Sequence, residues 1–125
     1  MRQLGALEAV VMDRMWSREG AAAVREVLED LQRDRTLAYT TVMTVMDNLH
    51  RKGMLVREKE GRAYKYRAVH TREQYTAAIM GQTLAASSNP SATLLHFLKE
   101  IPSADIALLR EALVEHIQNS DTSAS

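Results

Sequence analysis

The sequence predicts a mostly α-helical protein with one small β-hairpin, and three observations support this prediction. Apolar residues recur at helical spacing in three segments before residue 53. Between residues 54 and 69, two short β-prone runs replace that spacing and flank Glu60-Gly61, where a tight turn fits. Helical spacing returns after residue 70. Three helices followed by a hairpin within residues 1–70 are the arrangement of a winged helix-turn-helix domain.

The first two helices are predicted from apolar stripes and from a stop signal. One helix covers residues 4–18, and Gly20 is a suitable residue to end it. Its stripe consists of Leu4, Leu7, Val11 and Met15. A second helix starts at about Val24 and repeats apolar residues at the same spacing. Each helix therefore has one side that is suited to a shared core.

The third helix, at about residues 39–52, has an unusual polar face. Its buried stripe is predicted from the spacing of Val42, Val45, Met46 and Leu49. The opposite side carries Thr40, Thr44, Asp47 and Arg51, with Asn48 at its edge. Threonine is a poor helix former, because its branched β-carbon loses side-chain freedom against the preceding turn. Helix formation alone does not explain this choice of residues.

We interpret this third helix as a recognition helix for the DNA major groove. A threonine hydroxyl bonds a base edge while its methyl contacts a thymine methyl, and a helix start suits a phosphate. The residues predicted for base or groove contact are Thr40, Thr44 and Arg51, with Thr41 and Asn48 in support. Asp47 precedes Arg51 by four residues and is placed to orient its guanidinium. The alternative interpretation is a solvated helix of mediocre propensity.

The hairpin, at about residues 54–69, is rich in cations. In its second run Tyr64 and Tyr66 share one face and Lys65 and Arg67 share the other. We therefore expect a basic outer face, with Arg62 near the tip. The predicted phosphate contacts are Arg57, Lys59, Arg62 and Lys65. A run of charges is also typical of an ordinary solvated surface.

The distribution of charge supports a nucleic-acid partner. The net charge is zero, but residues 35–70 carry eight basic and three acidic side chains, a local charge of +5. Residues 1–34 and 71–125 have local charges of −2 and −3. A basic central segment between two acidic segments indicates a local positively charged surface, and such a surface suits double-stranded DNA.

Several other classes of site find no support in the sequence. Cysteine is absent, which excludes disulfides, thiolate catalysis and thiolate metal sites. The four histidines are widely spaced, so no metal site is predicted, and no enzyme or cofactor motif is present. No apolar run is long enough to cross a bilayer, and Glu8 and Asp13 interrupt the apolar start, unlike a signal peptide. We therefore expect a cytoplasmic protein that is not an enzyme and does not insert into membranes.

Residues 71–119 are predicted to form a helical dimerisation region. Its helices are interrupted by SSNPS at residues 87–91, since Pro90 disfavours helix for the residue before it. Short apolar-striped helices do not easily bury their stripes within one chain, so a second copy is expected to cover them. The predicted dimer residues are Tyr75, Ile79, Leu94, Leu98, Ile106, Leu109, Leu113 and Ile117. Docking onto residues 1–70 of the same chain is the alternative, and residues 120–125 are predicted to be a disordered tail.

Four segments of the chain together resemble the penicillinase-repressor (BlaI/MecI) family. They are VMDRMW, VREVLEDL, LAYTTVMTVMDNLHRKG and VREKEGRAYKYRAV. The resemblance covers residues 4–70 closely and the C-terminal part only in layout. It implies a homodimeric repressor on a short palindromic operator, often with a TACA/TGTA-like core, at promoters of β-lactam-response genes. It also implies that the segment matching 39–52 enters the major groove, that the wing contacts the backbone and that the C-terminal helices form the dimer.

The resemblance further implies release when a signalling protease cuts the dimerisation region between an asparagine and a phenylalanine. The matching bond is His96–Phe97 in LLHFLKE, where histidine replaces the asparagine. Copper-responsive relatives carry C-terminal cysteines, and this sequence has none. Two other functions stay open: a winged-helix adaptor that binds protein, and a ligand-responsive regulator of the MarR type with a pocket between the wing and the dimer helices.

Overall fold

The computed structural model describes the backbone of residues 3–124 and the side chains of residues 3–121. Its elements in chain order are α1 (Ala6–Ser17), α2 (Val24–Leu31), α3 (Tyr39–Arg51), β1 (Leu55–Glu60), β2 (Ala63–Ala68), α4 (Arg72–Ala85), α5 (Pro90–Glu100) and α6 (Ser103–Ala124). The predicted fold class, mostly helical with one hairpin, is confirmed. The chain divides into two compact units, and the boundary falls between Gly81 and Gln82.

The first three helices pack their apolar stripes together in the core of unit 1. The buried residues of α3 are the four that the spacing predicted: Val42, Val45, Met46 and Leu49. The buried residues of α1 are Val11, Met12 and Met15. Gly53 ends α3 with a φ of +80°, a conformation that glycine adopts without strain. The turn lets the Met54 N–H donate to the Leu49 carbonyl at 2.9 Å and directs the chain into β1.

The hairpin is a two-stranded antiparallel sheet whose register runs from Leu55 opposite Ala68 to Glu60 opposite Ala63. Its two-residue loop is therefore Gly61-Arg62, one position later than the predicted Glu60-Gly61. Gly61 has a φ of +65°, which suits the first loop position of a type II′ turn. Arg62 lies at the tip, as predicted.

A short bridge ties the hairpin to the connection between α1 and α2. Ala22 and Tyr66 exchange two backbone hydrogen bonds, each 2.8 Å long. Both residues are buried in the core, so the base of the hairpin is anchored to the helices. The tip at Gly61-Arg62 lies beyond this anchor and remains exposed. These hydrogen bonds and this burial thus fix the position of the hairpin, which is the wing of the domain.

Unit 2 contains α5, α6 and the last turn of α4, and none of its described residues, 82–121, is buried. α5 begins as the sequence predicts, because Asn89 accepts a hydrogen bond from the Ala92 N–H at 3.1 Å and Pro90 follows it. α6 continues through Ala124, where a disordered tail from residue 120 was predicted. The difference has a local reason: neither glycine nor proline follows Pro102 to end the helix. Residue 125 lies outside the described residues.

The boundary between the units also differs in position from the predicted boundary at residue 70. The start of α4 belongs to unit 1, because Tyr75 packs beside the core of the helices. No helix among the described residues is long and apolar enough to span a membrane.

Candidate nucleic-acid interface

The side of α3 opposite the core is open to solvent. All five residues predicted for base or groove contact on this helix are exposed: Thr40, Thr41, Thr44, Asn48 and Arg51. The cap residue before α3 is Ala38, whose side chain offers no acceptor for the first backbone N–H groups. Those groups therefore point a partial positive charge away from the helix start, which favours an anion there. The helix presents hydroxyls, an amide and a guanidinium on one accessible surface.

Two larger residues on this helix were missed in the sequence analysis. Tyr39 and Met43 are 43% and 42% exposed, although both are apolar. The Arg25 guanidinium of α2 lies over the Tyr39 ring, 5.7 Å from its centroid. The helical positions of Tyr39 and Met43, beside Thr40 and away from the buried stripe, are the signal in the sequence that places them on this surface.

Asp47 lies within this surface and binds two arginines. Its Oδ2 accepts from Arg51 Nη2 at 2.9 Å, which is the predicted pairing of residues four apart on one helix. Its Oδ1 accepts from Arg57 Nη1 of β1 at 3.1 Å. The Arg51 side chain is 74% exposed, whereas that of Asp47 is 31% exposed. One carboxylate therefore joins the exposed cation of α3 to a cation of the wing.

Arg57 contacts two tyrosines of the hairpin in addition to Asp47. Its guanidinium carbon lies 4.3 Å from the centre of the Tyr64 ring, and Nη1 donates to Tyr66 Oη at 3.4 Å. The hydrogen bond to Tyr66 is the main factor that raises the pKa of Arg57 above its ordinary value. Arg57 was predicted to bind phosphate, but here it links β1, β2 and α3.

Lys65 also has a partner within the protein. Its Nζ donates to Glu26 Oε1 of α2 at 2.7 Å, and Glu26 Oε2 accepts from Arg18 Nη2 at 2.8 Å. The hydrogen bond from Lys65 lowers the pKa of Glu26, and the same bond raises the pKa of Lys65. This ion pair fixes the second strand of the wing to α2.

The hairpin carries cations on both of its faces, and the predicted basic face of Lys65 and Arg67 is one of them. Residues opposite each other in an antiparallel pair point to the same side of the sheet. Arg57 lies opposite Tyr66 and Lys59 opposite Tyr64, which places these two cations on the tyrosine face. Lys65 and Arg67 lie on the other face, as predicted. Among residues 3–121, Lys59 and Arg62 are exposed and take part in no ion pair.

Tyr75, which was predicted to line the dimer, packs within unit 1. Its Oη accepts a hydrogen bond from the Leu4 N–H at 3.0 Å, and its ring lies 5.5 Å from that of Trp16. Trp16 in turn donates through Nε1 to the His70 carbonyl at 2.9 Å. Ile79, one helical turn further on, is half-buried. Tyr75 thus has partners in its own chain, and a role for it in the dimer stays a prediction.

The other predicted dimer residues are exposed on α5 and α6. These are Leu94, Leu98, Ile106, Leu109, Leu113 and Ile117. Leu95 and Phe97 widen this surface on α5, whereas Leu108 and Val114 are exposed outside the stripe of α6. His96 and Phe97, the residues that match the family's cleavage site, are both exposed in the middle of α5. Within the described residues no cluster of histidine and carboxylate side chains is suited to hold a metal ion.

The chain matches a known protein family along most of its length. A family model described as the penicillinase repressor matches residues 4–115. The transcriptional regulator BlaI from two strains of Mycobacterium tuberculosis is 40% identical over 118 residues, which cover 92% of this chain and 86% of that protein. Both relatives are named as transcriptional regulators and not as enzymes.

Solved structures show the same fold. The solution structure of the DNA-binding domain of the repressor BlaI has a TM-score of 0.52 and 29% identity. That match covers 58% of this chain and 88% of the domain. The complex structure of hsRosR-S1 has a TM-score of 0.50 and 17% identity over 85% of this chain and 95% of that one, a likeness of fold alone.

Proposed function

Because the chain belongs to the penicillinase-repressor family, we propose that it is a homodimeric repressor that binds a palindromic DNA operator. One observation carries the proposal. One side of α3 is exposed and polar and carries Thr40, Thr44 and Arg51. The opposite side is an apolar stripe in which every residue is buried. A helix of this kind fits the major groove, where short hydroxyls and a guanidinium meet base edges. The similarity to the DNA-binding domain of BlaI supports the same role.

The wing is proposed to lie on the phosphate backbone beside that groove. Lys59 and Arg62 are exposed and free of ion pairs among the described residues, so they are the primary phosphate contacts in this proposal. Arg57 and Lys65 would each exchange a carboxylate partner for a phosphate if they bound DNA. Such contacts set affinity and register without reading the sequence.

The dimer is proposed to form through the exposed apolar stripes of α5 and α6. Burying apolar surface stabilises association by roughly 25 cal/mol for each Å² removed from water. A second copy of the chain presents the same stripe, and a two-fold pair suits a palindromic operator with one recognition helix for each half-site. The family's name and the resemblance support control of β-lactam-response genes, with the protein at work in the cytoplasm beside its DNA.

Release by a signalling protease is proposed with one structural requirement. His96 and Phe97 lie inside α5, and a protease needs an extended segment, so α5 would have to unwind locally before cleavage. Replacement of the expected asparagine by His96 calls for a protease of altered preference.

A ligand-responsive regulator is the second candidate function, and one cleft favours it. The cleft measures about 430 Å³ within unit 1 and is lined by Trp16, Arg18, Arg67, His70 and Arg72 among others. Three arginines and a histidine line this cleft, so its surface carries several cationic or polar groups. A small organic anion would suit these guanidinium groups. The adaptor alternative receives no such support.

The test of the main proposal is selection of duplexes from a randomised pool, followed by gel-shift titration of the selected duplex. Arg51→Ala is expected to lose about 1–3 kcal/mol of affinity for the selected duplex, as for other lost base contacts, with little change on random duplex. Thr83→Ala, on the distal part of α4, is the control variant. An adaptor would select no sequence and would show no steep salt dependence on random duplex. Equal binding by Arg51→Ala and the unaltered protein would refute the role of Arg51.

A further inference from the structure

Asp47 is the only acidic residue of α3, and it occupies the surface that faces DNA in the proposed function. A carboxylate at this place repels phosphates, and a positive or neutral side chain would bind DNA more strongly in general. Its two arginine partners, at 2.9 and 3.1 Å, show what the carboxylate does in the free protein. It neutralises cations that lie on two different elements.

The link to Arg57 connects the recognition helix to the wing. Arg57 contacts Tyr64 and Tyr66 on the hairpin. Its hydrogen bond to Asp47 therefore fixes the hairpin relative to α3. The other link keeps Arg51 beside Asp47, one helical turn away. The triad of Arg51, Asp47 and Arg57 is therefore one electrostatic unit shared by the groove-reading and backbone-binding parts of the domain.

We infer that Asp47 is a positioning residue that determines specificity, because it holds Arg51 and Arg57 in one triad and withholds both cations from the phosphates of non-operator DNA. The inference rests on the proposed function. On random duplex, a cation already paired with a carboxylate releases few counterions when it meets a phosphate. On the operator, the fixed orientation of Arg51 favours a base edge instead. The negative charge thus reduces binding to the wrong sites more than binding to the right one.

The experiment compares Asp47→Asn with the unaltered full chain on two probes at several salt concentrations. One probe is a random-sequence duplex, and the other is the duplex most enriched from a randomised pool by the unaltered protein. For Asp47→Asn we expect at least about threefold tighter binding to random duplex, and a log–log salt slope steeper by about 0.9 for each freed cation. The ratio of affinities for the selected and random duplexes is expected to fall by roughly tenfold.

Three further variants separate this role from simpler explanations. Glu19→Gln removes one negative charge from an exposed residue that has no ion pair among residues 3–121, and it should leave the ratio unchanged. Asp47→Glu keeps the charge and should restore most of the original slope. In an Arg57→Gln background, Asp47→Asn should steepen the slope by only about half as much, since one cation of the triad is already gone.

Circular dichroism establishes that each variant folds, and Asp47→Ser carries the same expectation if the asparagine variant does not. Weaker binding of Asp47→Asn to both probes with an unchanged salt slope would overturn the inference, because it would show a merely structural role. An equal gain in affinity for random duplex from Glu19→Gln would also overturn the inference, because it would show that any lost negative charge has this effect. If the unaltered protein itself binds no duplex in a salt-dependent manner, the proposed function fails, and the inference fails with it.

Discussion

Units 1 and 2 are both built from helices with apolar stripes, but they satisfy those stripes differently. In unit 1 the stripe of α3 is buried from Val42 to Leu49 against α1 and α2. In unit 2 the equivalent residues of α6, from Ile106 to Ile117, are exposed. Helical spacing predicted both stripes equally well. The difference teaches that a stripe reveals an interface without revealing whether its partner is in the same chain.

The same contrast appears among the charged residues of unit 1. Lys65 and Arg57 have carboxylate partners, whereas Lys59 and Arg62 have none among the described residues. Groups with partners stabilise the domain and fix the wing. Groups without partners are those that an external ligand meets first.

The largest expected effect is the loss of stability when a core side chain of unit 1 is truncated. Met46 is completely buried, so Met46→Ala leaves a cavity and should lower the free energy of unfolding by about 2–5 kcal/mol. Leu108→Ala on α6, where the side chain is 65% exposed, should change it by less than about 0.5 kcal/mol. Denaturant unfolding measures both values. Similar losses for the two variants would remove the distinction between the units.

The next largest effect concerns self-association through unit 2. Leu109 lies on the predicted dimer stripe, and Leu109→Glu places a charge in the proposed interface. The dissociation constant of the dimer should rise by roughly 30-fold, the equivalent of a lost interface hot spot of about 2 kcal/mol. Light scattering over a concentration series measures it.

Leu108→Glu serves as the matched control, since Leu108 is a neighbour of Leu109 but lies off the stripe. It should disturb the dimer much less than Leu109→Glu does. A monomeric unaltered protein, or equal effects of the two variants, would contradict the assignment of this surface.

Local periodicity explains which parts of the fold the sequence predicts. The stripe of α3, the hairpin and the stop at Gly53 depend on residues within one or two turns of each other, and all were predicted. Contacts between distant residues are a different matter. Glu26 and Lys65 are 39 residues apart in sequence, and nothing in either segment alone indicates that they pair.

The same limit applies to details of the predicted site. The face of Arg57 and Lys59 depends on which residues of β2 lie opposite them, which is decided by the register of the hairpin. Tyr75 was assigned to the dimer because its spacing fits a stripe, yet its partners are Leu4 and Trp16 near the other end of unit 1. Composition and periodicity identify candidate residues, but only packing distinguishes a ligand-binding cation from one that is already paired.

A smaller effect separates two lysines of the hairpin. Lys59→Ala should reduce the magnitude of the log–log salt slope of DNA binding by about 0.9, the value for one lost phosphate contact. Lys65→Ala should reduce it less, because Lys65 already has a carboxylate partner at 2.7 Å. Titration of random duplex at several salt concentrations measures both slopes. The reverse order would mean that Lys65 leaves Glu26 when DNA binds.

The smallest expected effect is the pH dependence of the Lys65–Glu26 pair in the absence of DNA. The pKa of Glu26 is lowered in the folded protein, first by the hydrogen bond from Lys65, so the carboxylate stabilises the fold above its ordinary pKa of 4.5. That contribution is lost as the pH falls through the lowered pKa. The pKa of Lys65 is raised in the folded protein, so its contribution to stability is present below the ordinary lysine pKa of 10.5. That contribution is lost only as the pH rises through the raised pKa.

Lys65→Met should therefore lower the free energy of unfolding between these limits, by the small amount that is usual for a partly exposed ion pair. The deficit should shrink as the pH falls below 4.5, because Glu26 then becomes protonated with or without its partner. Lys59→Met, which removes a cation without an ion pair among the described residues, should show no such change with pH. If the Lys65→Met deficit stayed constant into strong acid, the bond to Glu26 could not be its source, and the contrast between paired and unpaired cations of the wing would lose its energetic basis.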